Sequence, residues 1–437
     1  MSPLRAFLGS GNEMQPSSPP AFSTPPRFRV AGDANQQWAT LTRTVPRPIL
    51  VHVNADTTWL LQLPYPPDAV VPQGRRRFNI LIDPWLQGPQ SDVHAIFSTQ
   101  WHVVAPSVAT IDDLNDVLRD IECSPNDHQQ SSGQDPASDT ADSPPSQPRT
   151  RESSVSMIDA VVVSHEFTDH CHQSTLLELP RSTPIFASDV AADLIRSWRY
   201  FHRVITTPAL GAGVEWSRLT VGPLPDWLAI GRVITPGNAL YYHAASLIAF
   251  NLGQGDEGEA VIYSPHGIES KALASIETSG LSTLALLHGL DDVRIWMTKQ
   301  LNLGALNGIK AANMCKAKFW IATHDEVKKG GGFIAPLLQR TSYSFKEAVK
   351  REEELQRQSA NTDASPTYQF IELKSGDVGA NGTTKDYLAA NSTIMTSILE
   401  ERDVGKVMKD VMRDDLHLTF WHAISKTLEK ACDRPYR

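Results

Sequence analysis

The apolar run Val161-Val162-Val163 stops abruptly at Ser164-His165-Glu166-Phe167-Thr168-Asp169-His170-Cys171-His172. A short β-branched run of this kind predicts a buried strand. A rigid strand end followed by a sharp turn lets imidazoles and a carboxylate converge, and that is the ligand set zinc or iron prefers. Asp169 and His170 are adjacent, so only a sharp turn can aim both inward. The competing reading is a His-rich surface turn that is merely solvated.

The segments around this loop predict one α/β domain. Ile49 to Val53 and Thr57 to Leu63 are β-rich runs separated by Asn54-Ala55-Asp56, a turn sequence, and together they predict a hairpin. Phe78 to Ile82 is an apolar strand ending at Asp83-Pro84, where the proline stops the ladder. Further strands are expected at 158–163, 184–187, 245–252, 260–263, 284–287 and 319–322. Helical spacing appears at 188–201, 303–316 and 344–358. Sheets covered by helices account for this mixture.

Composition sets the boundaries. Residues 1–36 are rich in Pro, Ser and Gly and predict a disordered leader. Residues 124–155 contain almost no large apolar side chain, so burial cannot offset their ordering entropy and a floppy surface insertion is expected. The domain is expected over 37–345, followed by a mostly helical C-terminal extension over 346–437. A net charge of −9 gives no general attraction to nucleic acid or anionic lipid, so neither is an expected partner. The four cysteines, Cys123, Cys171, Cys315 and Cys432, form no CxxC pair, and neither a disulfide framework nor a zinc knuckle is indicated. With no secretory h-region and no apolar stretch of roughly 20 residues, a soluble cytoplasmic protein is expected.

The loop resembles the His-x-His-x-Asp-His signature of metallo-β-lactamase-fold hydrolases, with their lactonase-like branch closest in look. His165, Asp169 and His170 match that signature, and Phe167 stands at the second histidine's place. The order of the remaining segments also resembles the family over roughly residues 45 to 335. The strand Val261-Ile262-Tyr263 is followed by Ser264-Pro265-His266-Gly267, with His266 where the family's metal-bridging aspartate is expected. Phe319 to Asp325 resembles the strand that delivers the last histidine ligand, here His324. Thr235-Pro236 leads to Gly237-Asn238 and not to a first-site histidine, which leaves His243 as a displaced substitute.

The resemblance implies an αββα four-layer sandwich of two mixed sheets flanked by helices. It implies a metal set of His165, Asp169, His170, His266 and His324, with Asp169 and His266 closest to the chemistry. The first site then retains His165, alone or with His243. The second has Asp169, His170 and His324, with His266 as a fourth donor. One divalent ion follows: zinc, with iron or manganese as alternatives. The expected function is hydrolysis of a small-molecule ester, lactone, thioester or phosphoester, and the low-complexity insertion suggests a fungal lineage and small-molecule metabolism. The substitutions at Phe167 and His266 also admit a metal-free relative acting as a binding protein, cyclase or lyase.

Asp83 is expected either to orient a ligand or to serve the turn, and Glu166 to point away from the site. His172 is expected outside the metal shell. His288 is read as pocket lining or surface, and Lys328-Lys329-Gly330-Gly331-Gly332 as a flexible loop near the mouth.

Overall fold

The computed structural model describes residues 32–91, 98–122, 155–235, 237, 241–253, 257–295, 299–331, 337–358 and 368–380. Most of the leader, the insertion, Asn238, Cys123, Cys432 and everything beyond 380 lie outside them.

Two mixed sheets form the body. The first contains β1 (Ile49–His52), β2 (Trp59–Pro64), β3 (Arg77–Ile82), β5 (Ala160–Val163), β6 (Ile185–Ala187), β7 (Val204–Thr206) and β18 (Val378–Ala380), ordered β18-β1-β2-β3-β5-β6-β7. The second contains β8 (Leu228–Val233), β9 (Ala245–Phe250), β10 (Gly258–Ser264), β11 (Leu281–His288), β14 (Phe319–Ile321) and β17 (Gln369–Ile371), ordered β17-β14-β11-β10-β9-β8. In the first sheet, β3, β5, β6 and β7 run parallel. In the second, the parallel strands are β10, β11, β14 and β17. Smaller ladders join β4 (Thr99–Trp101) to β15 (Lys329–Gly331), and β12 (Asp292–Ile295) to β13 (Lys299–Asn302) and β16 (Leu338–Thr341).

The period-2 alternation of the strands distributes their side chains over three cores. Trp59, Leu61, Ile80, Ile82, Val162 and Phe186 meet Ile230, Ile248, Phe250, Val261, Tyr263 and Leu287 between the sheets. The intervening Leu60, Leu81, Val161 and Val163 face outward on the first sheet, where they pack with residues of α1 (Gly32–Thr44), α2 (Ile111–Glu122), α3 (Gln173–Leu176) and α4 (Asp189–Ser197). On the second sheet, Leu247, Ile262 and Leu286 pack with residues of α5 (Ser275–Thr278), α6 (Ala305–Met314) and α7 (Phe345–Gln358). Both faces of each sheet are therefore dry, which is why the central strands read as continuous apolar runs rather than alternating ones. The result is the αββα four-layer sandwich.

Two boundaries differ from expectation. Helix α1 starts inside the segment read as a leader and buries Trp38 against the first core. The domain also continues past residue 345. Ala348 of α7 is fully buried, β17 pairs with β14, and β18 pairs with β1, so part of the chain read as a C-terminal extension completes both sheets. Among the described residues no helix is long and apolar enough to cross a membrane.

Candidate metal centre

Parallel strands leave their carboxyl ends on one side of the sandwich, and the loops that follow them gather there, as ligand-binding loops do in open α/β sheets. Asp83 follows β3, Ser164 to His170 follow β5, His266 follows β10 and His324 follows β14. The β1–β2 turn adds Asp56. Asp83 and His324 both have positive φ, +43° and +60°. Non-glycine residues adopt that conformation at a cost of order 1–3 kcal/mol, and such residues cluster at functional sites.

All five residues expected from the sequence come together. His165, His170 and His266 form one group whose donor atoms lie within 4.8 Å of one another; Asp169, His170 and His324 form a second. His170 belongs to both. His266 groups with His165 rather than serving as a fourth donor beside His324, so the position read as holding His165 alone has three imidazoles. His243 is not among them: its Nε2 is bonded to the Leu301 carbonyl at 3.0 Å. Phe167 packs its ring against His165, with centroids 4.8 Å apart, and against Tyr242 at 5.5 Å, walling the cluster instead of ligating it.

Counting protons shows which way each imidazole faces. Ser164 Oγ donates its single proton to Asp83 Oδ2 at 2.5 Å, so His165 Nδ1 donates to Ser164 Oγ at 2.8 Å. His170 Nδ1 donates to Asp83 Oδ2 at 2.6 Å, His266 Nδ1 to Asn302 Oδ1 at 2.6 Å, and His324 Nδ1 to Asp56 Oδ1 at 3.0 Å. Every Nδ1 proton is thus committed, and every Nε2 carries a bare lone pair in the neutral ring. His165 Nε2 and His266 Nε2 lie 2.6 Å apart. His170 Nε2 is buried with no hydrogen-bond partner. Lone pairs that close require a proton or a cation between them. Burial, reinforced by His170 and other nearby imidazoles, holds the pKa values of His165 and His266 well below the ordinary histidine value. For His170 burial acts in the same direction, but Asp169 and Asp83 outweigh it and the pKa is raised.

Two functional residues were missed in the sequence. Asp56 accepts from His324 Nδ1, and its loop is held by Asn54 Oδ1, which accepts from the backbone N–H groups of Asp56 and Thr58 at 2.9 Å each. Lys328, read as part of a flexible loop, places its ammonium 2.7 Å from Asp56 Oδ2 and 2.7 Å from Asp169 Oδ2. Burial would raise the pKa of each carboxylate, but Lys328 and the neighbouring imidazoles outweigh it and hold both below the usual range. Asn54-x-Asp56 and the lysine before a glycine run carry no local signal for this pairing.

The remaining candidates have ordinary roles. Glu166 is bonded by Tyr241 OH, and His172 Nδ1 bonds Thr175 Oγ1 at 2.9 Å. His288 is neither pocket lining nor surface; it is fully buried and bonded to Asn307 and to Gly289 O. Burial pushes the Cys171 thiol pKa upward, which is the wrong direction for a nucleophile.

Gly267 fixes the turn that aims His266. Its φ is +81°, and a Cβ there would lie 2.6 Å from Leu303 Cβ. Gly267→Ala is therefore expected to lower unfolding stability by at least about 1 kcal/mol from the left-handed conformation alone. A urea midpoint equal to that of the parent protein would refute the assignment.

The fold and the cluster together define an αββα protein with a candidate metal centre at the carboxyl ends of its parallel strands. No family model matches the chain, and no curated protein matches it. Among solved structures it is similar to an isothiocyanate hydrolase from Delia radicum gut bacteria, at 14% identity and a TM-score of 0.42 over 76% of this chain and 98% of that one. It is also similar to a metallo-β-lactamase-fold protein from Bacillus subtilis, at 12% identity and a TM-score of 0.37, covering 76% and 99%. A third is CmlA, a diiron β-hydroxylase from Streptomyces venezuelae, at 12% identity and a TM-score of 0.41, covering 77% and 55%.

Proposed function

We propose that this chain is a metal-dependent hydrolase that binds a divalent ion within the His165, Asp169, His170, His266 and His324 cluster and cleaves an ester, lactone, thioester or phosphoester of a small molecule. The observation that carries the reading is the turning of four Nε2 lone pairs into one buried cluster, with every Nδ1 proton committed elsewhere and His170 Nε2 unpartnered. Metal-binding histidines characteristically donate their other ring N–H to a carboxylate or other oxygen acceptor. A divalent ion held there supplies Lewis-acid polarisation of a substrate oxygen and makes water nucleophilic near neutral pH.

The chain's own residues supply orientation. Asp83 fixes His170 directly and His165 through Ser164, while Asp56 fixes His324. Asp169 is 7% exposed, whereas Asp56 and Asp83 are fully buried, so Asp169 is the least enclosed carboxylate of the cluster. Phe167 and Tyr242 keep one side of the cluster apolar. An imidazole-rich set with one carboxylate suits zinc first and admits iron or manganese.

Purified protein is expected to contain divalent metal by elemental analysis and to hydrolyse at least one class in a panel of aryl esters, lactones, thioesters and phosphodiesters. The activity should be lost to a chelator and restored by zinc. Zinc-treated, desalted protein that contains no metal would remove the reading.

A further inference from the structure

We infer that the Lys328 ammonium is a built-in cation occupying one of the two metal positions of the cluster, so that the chain holds a single divalent ion on His165, His170 and His266. The inference rests on the cluster being a metal centre. Lys328 Nζ contacts Asp56 Oδ2 and Asp169 Oδ2 at 2.7 Å each, and its side chain is 8% exposed. The ammonium also lies 5.5 Å from the centroid of the Trp85 ring. Asp169 is the only carboxylate of the Asp169, His170, His324 triad, and the ammonium sits on it. The His165, His170, His266 triad has no lysine or arginine bonded to it among the described residues.

The lysine is held in place by its backbone. Its neighbour Lys329 opens the β15 ladder opposite Trp101 of β4. Two residues earlier, Glu326 accepts from the backbone N–H groups of Val103 and Val104 at 2.8 Å each and pairs with His102 Nδ1 at 2.6 Å. The ammonium is therefore delivered by a segment pinned on both sides, unlike a surface lysine that folds inward by chance.

Charge balance leads to the same count. Asp56, Asp83 and Asp169 are three buried carboxylates at the cluster, and Lys328 offsets one. One divalent ion neutralises the other two. A second would leave excess positive charge away from water, next to an ammonium it repels.

The test is metal stoichiometry on the full chain, with zinc-free protein titrated with zinc and then desalted. Wild type is expected to retain one ion and Lys328→Ala two, the second on Asp56, Asp169 and His324, because the single free Nε2 of the shared His170 serves the first. Should Lys328→Ala fail to fold, wild type loaded with cadmium is expected to give one cadmium-113 resonance. The site is located with two further variants: His266→Ala should weaken binding at least about tenfold and His324→Ala less than about threefold, set against the 10–100-fold typical of losing even an outer partner. Two ions in wild type, one ion in both wild type and a folded Lys328→Ala, or greater loss in His324→Ala than in His266→Ala overturns the inference and leaves the metal-centre reading intact. No ion in wild type overturns both.

Discussion

Replacing His170 by alanine should leave the protein folded with metal content reduced to under about a tenth of wild type and hydrolytic turnover reduced on the order of 1000-fold, the scale of losing a ligand from a catalytic metal. His170 is the one residue common to both candidate groups, so neither retains three donors without it. Asp83→Asn should act more mildly. Asp83 accepts from His170 Nδ1, from Ser164 Oγ and from the Ser164 backbone N–H, and an amide cannot accept at both of its terminal atoms. Asparagine tolerates the positive φ of this position, so the backbone should stay and the loss should fall in the 10–100-fold range of metal affinity typical of outer partners. Elemental analysis with circular dichroism checks both variants. Full occupancy in folded His170→Ala would show that the imidazole cluster is not where the ion sits.

The parts of this arrangement visible in the sequence are those set by local chemistry. The apolar run of β5 and the donor-rich loop after it give a strand end and three convergent side chains, and the runs at β9, β10 and β11 give buried strands. In α2 the signal was present but overlooked, since Ile111, Leu114, Leu118 and Ile121 recur at helical spacing and are all buried. Other features have no local signature. β18 is a three-residue strand, Val378–Ala380, whose place is set by pairing with β1 far back in the chain. His266 reads as a stand-in for the bridging aspartate and a fourth donor beside His324 until the ring of His165 is seen opposite it. Lys328 and Asp56 read as loop and turn residues, because an ion pair across the two sheets leaves no periodicity in either segment.

Saturating zinc should raise the melting temperature of chelator-treated protein on the order of 10 °C, and excess chelator should reverse the shift. Without metal the cluster combines three buried carboxylates, one ammonium and facing imidazole lone pairs, a set whose desolvation is uncompensated. An ion that binds the native state alone stabilises it by about 4 kcal/mol at 1000 times its dissociation constant. At roughly 2–4 °C per kcal/mol for a large domain, that corresponds to the expected shift. Magnesium and calcium should do little, because both prefer oxygen donors and this set is mostly imidazole. The shift should also shrink as the pH falls, first through protonation of His170, whose pKa Asp169 and Asp83 raise, and at His165 and His266 only well below the ordinary histidine range, since protons compete with metal for the same Nε2 lone pairs. A melting curve unchanged by zinc at neutral pH, in protein verified to be metal-free at the start, would place the stabilising role of the cluster with the ion pair of Lys328 rather than with a metal.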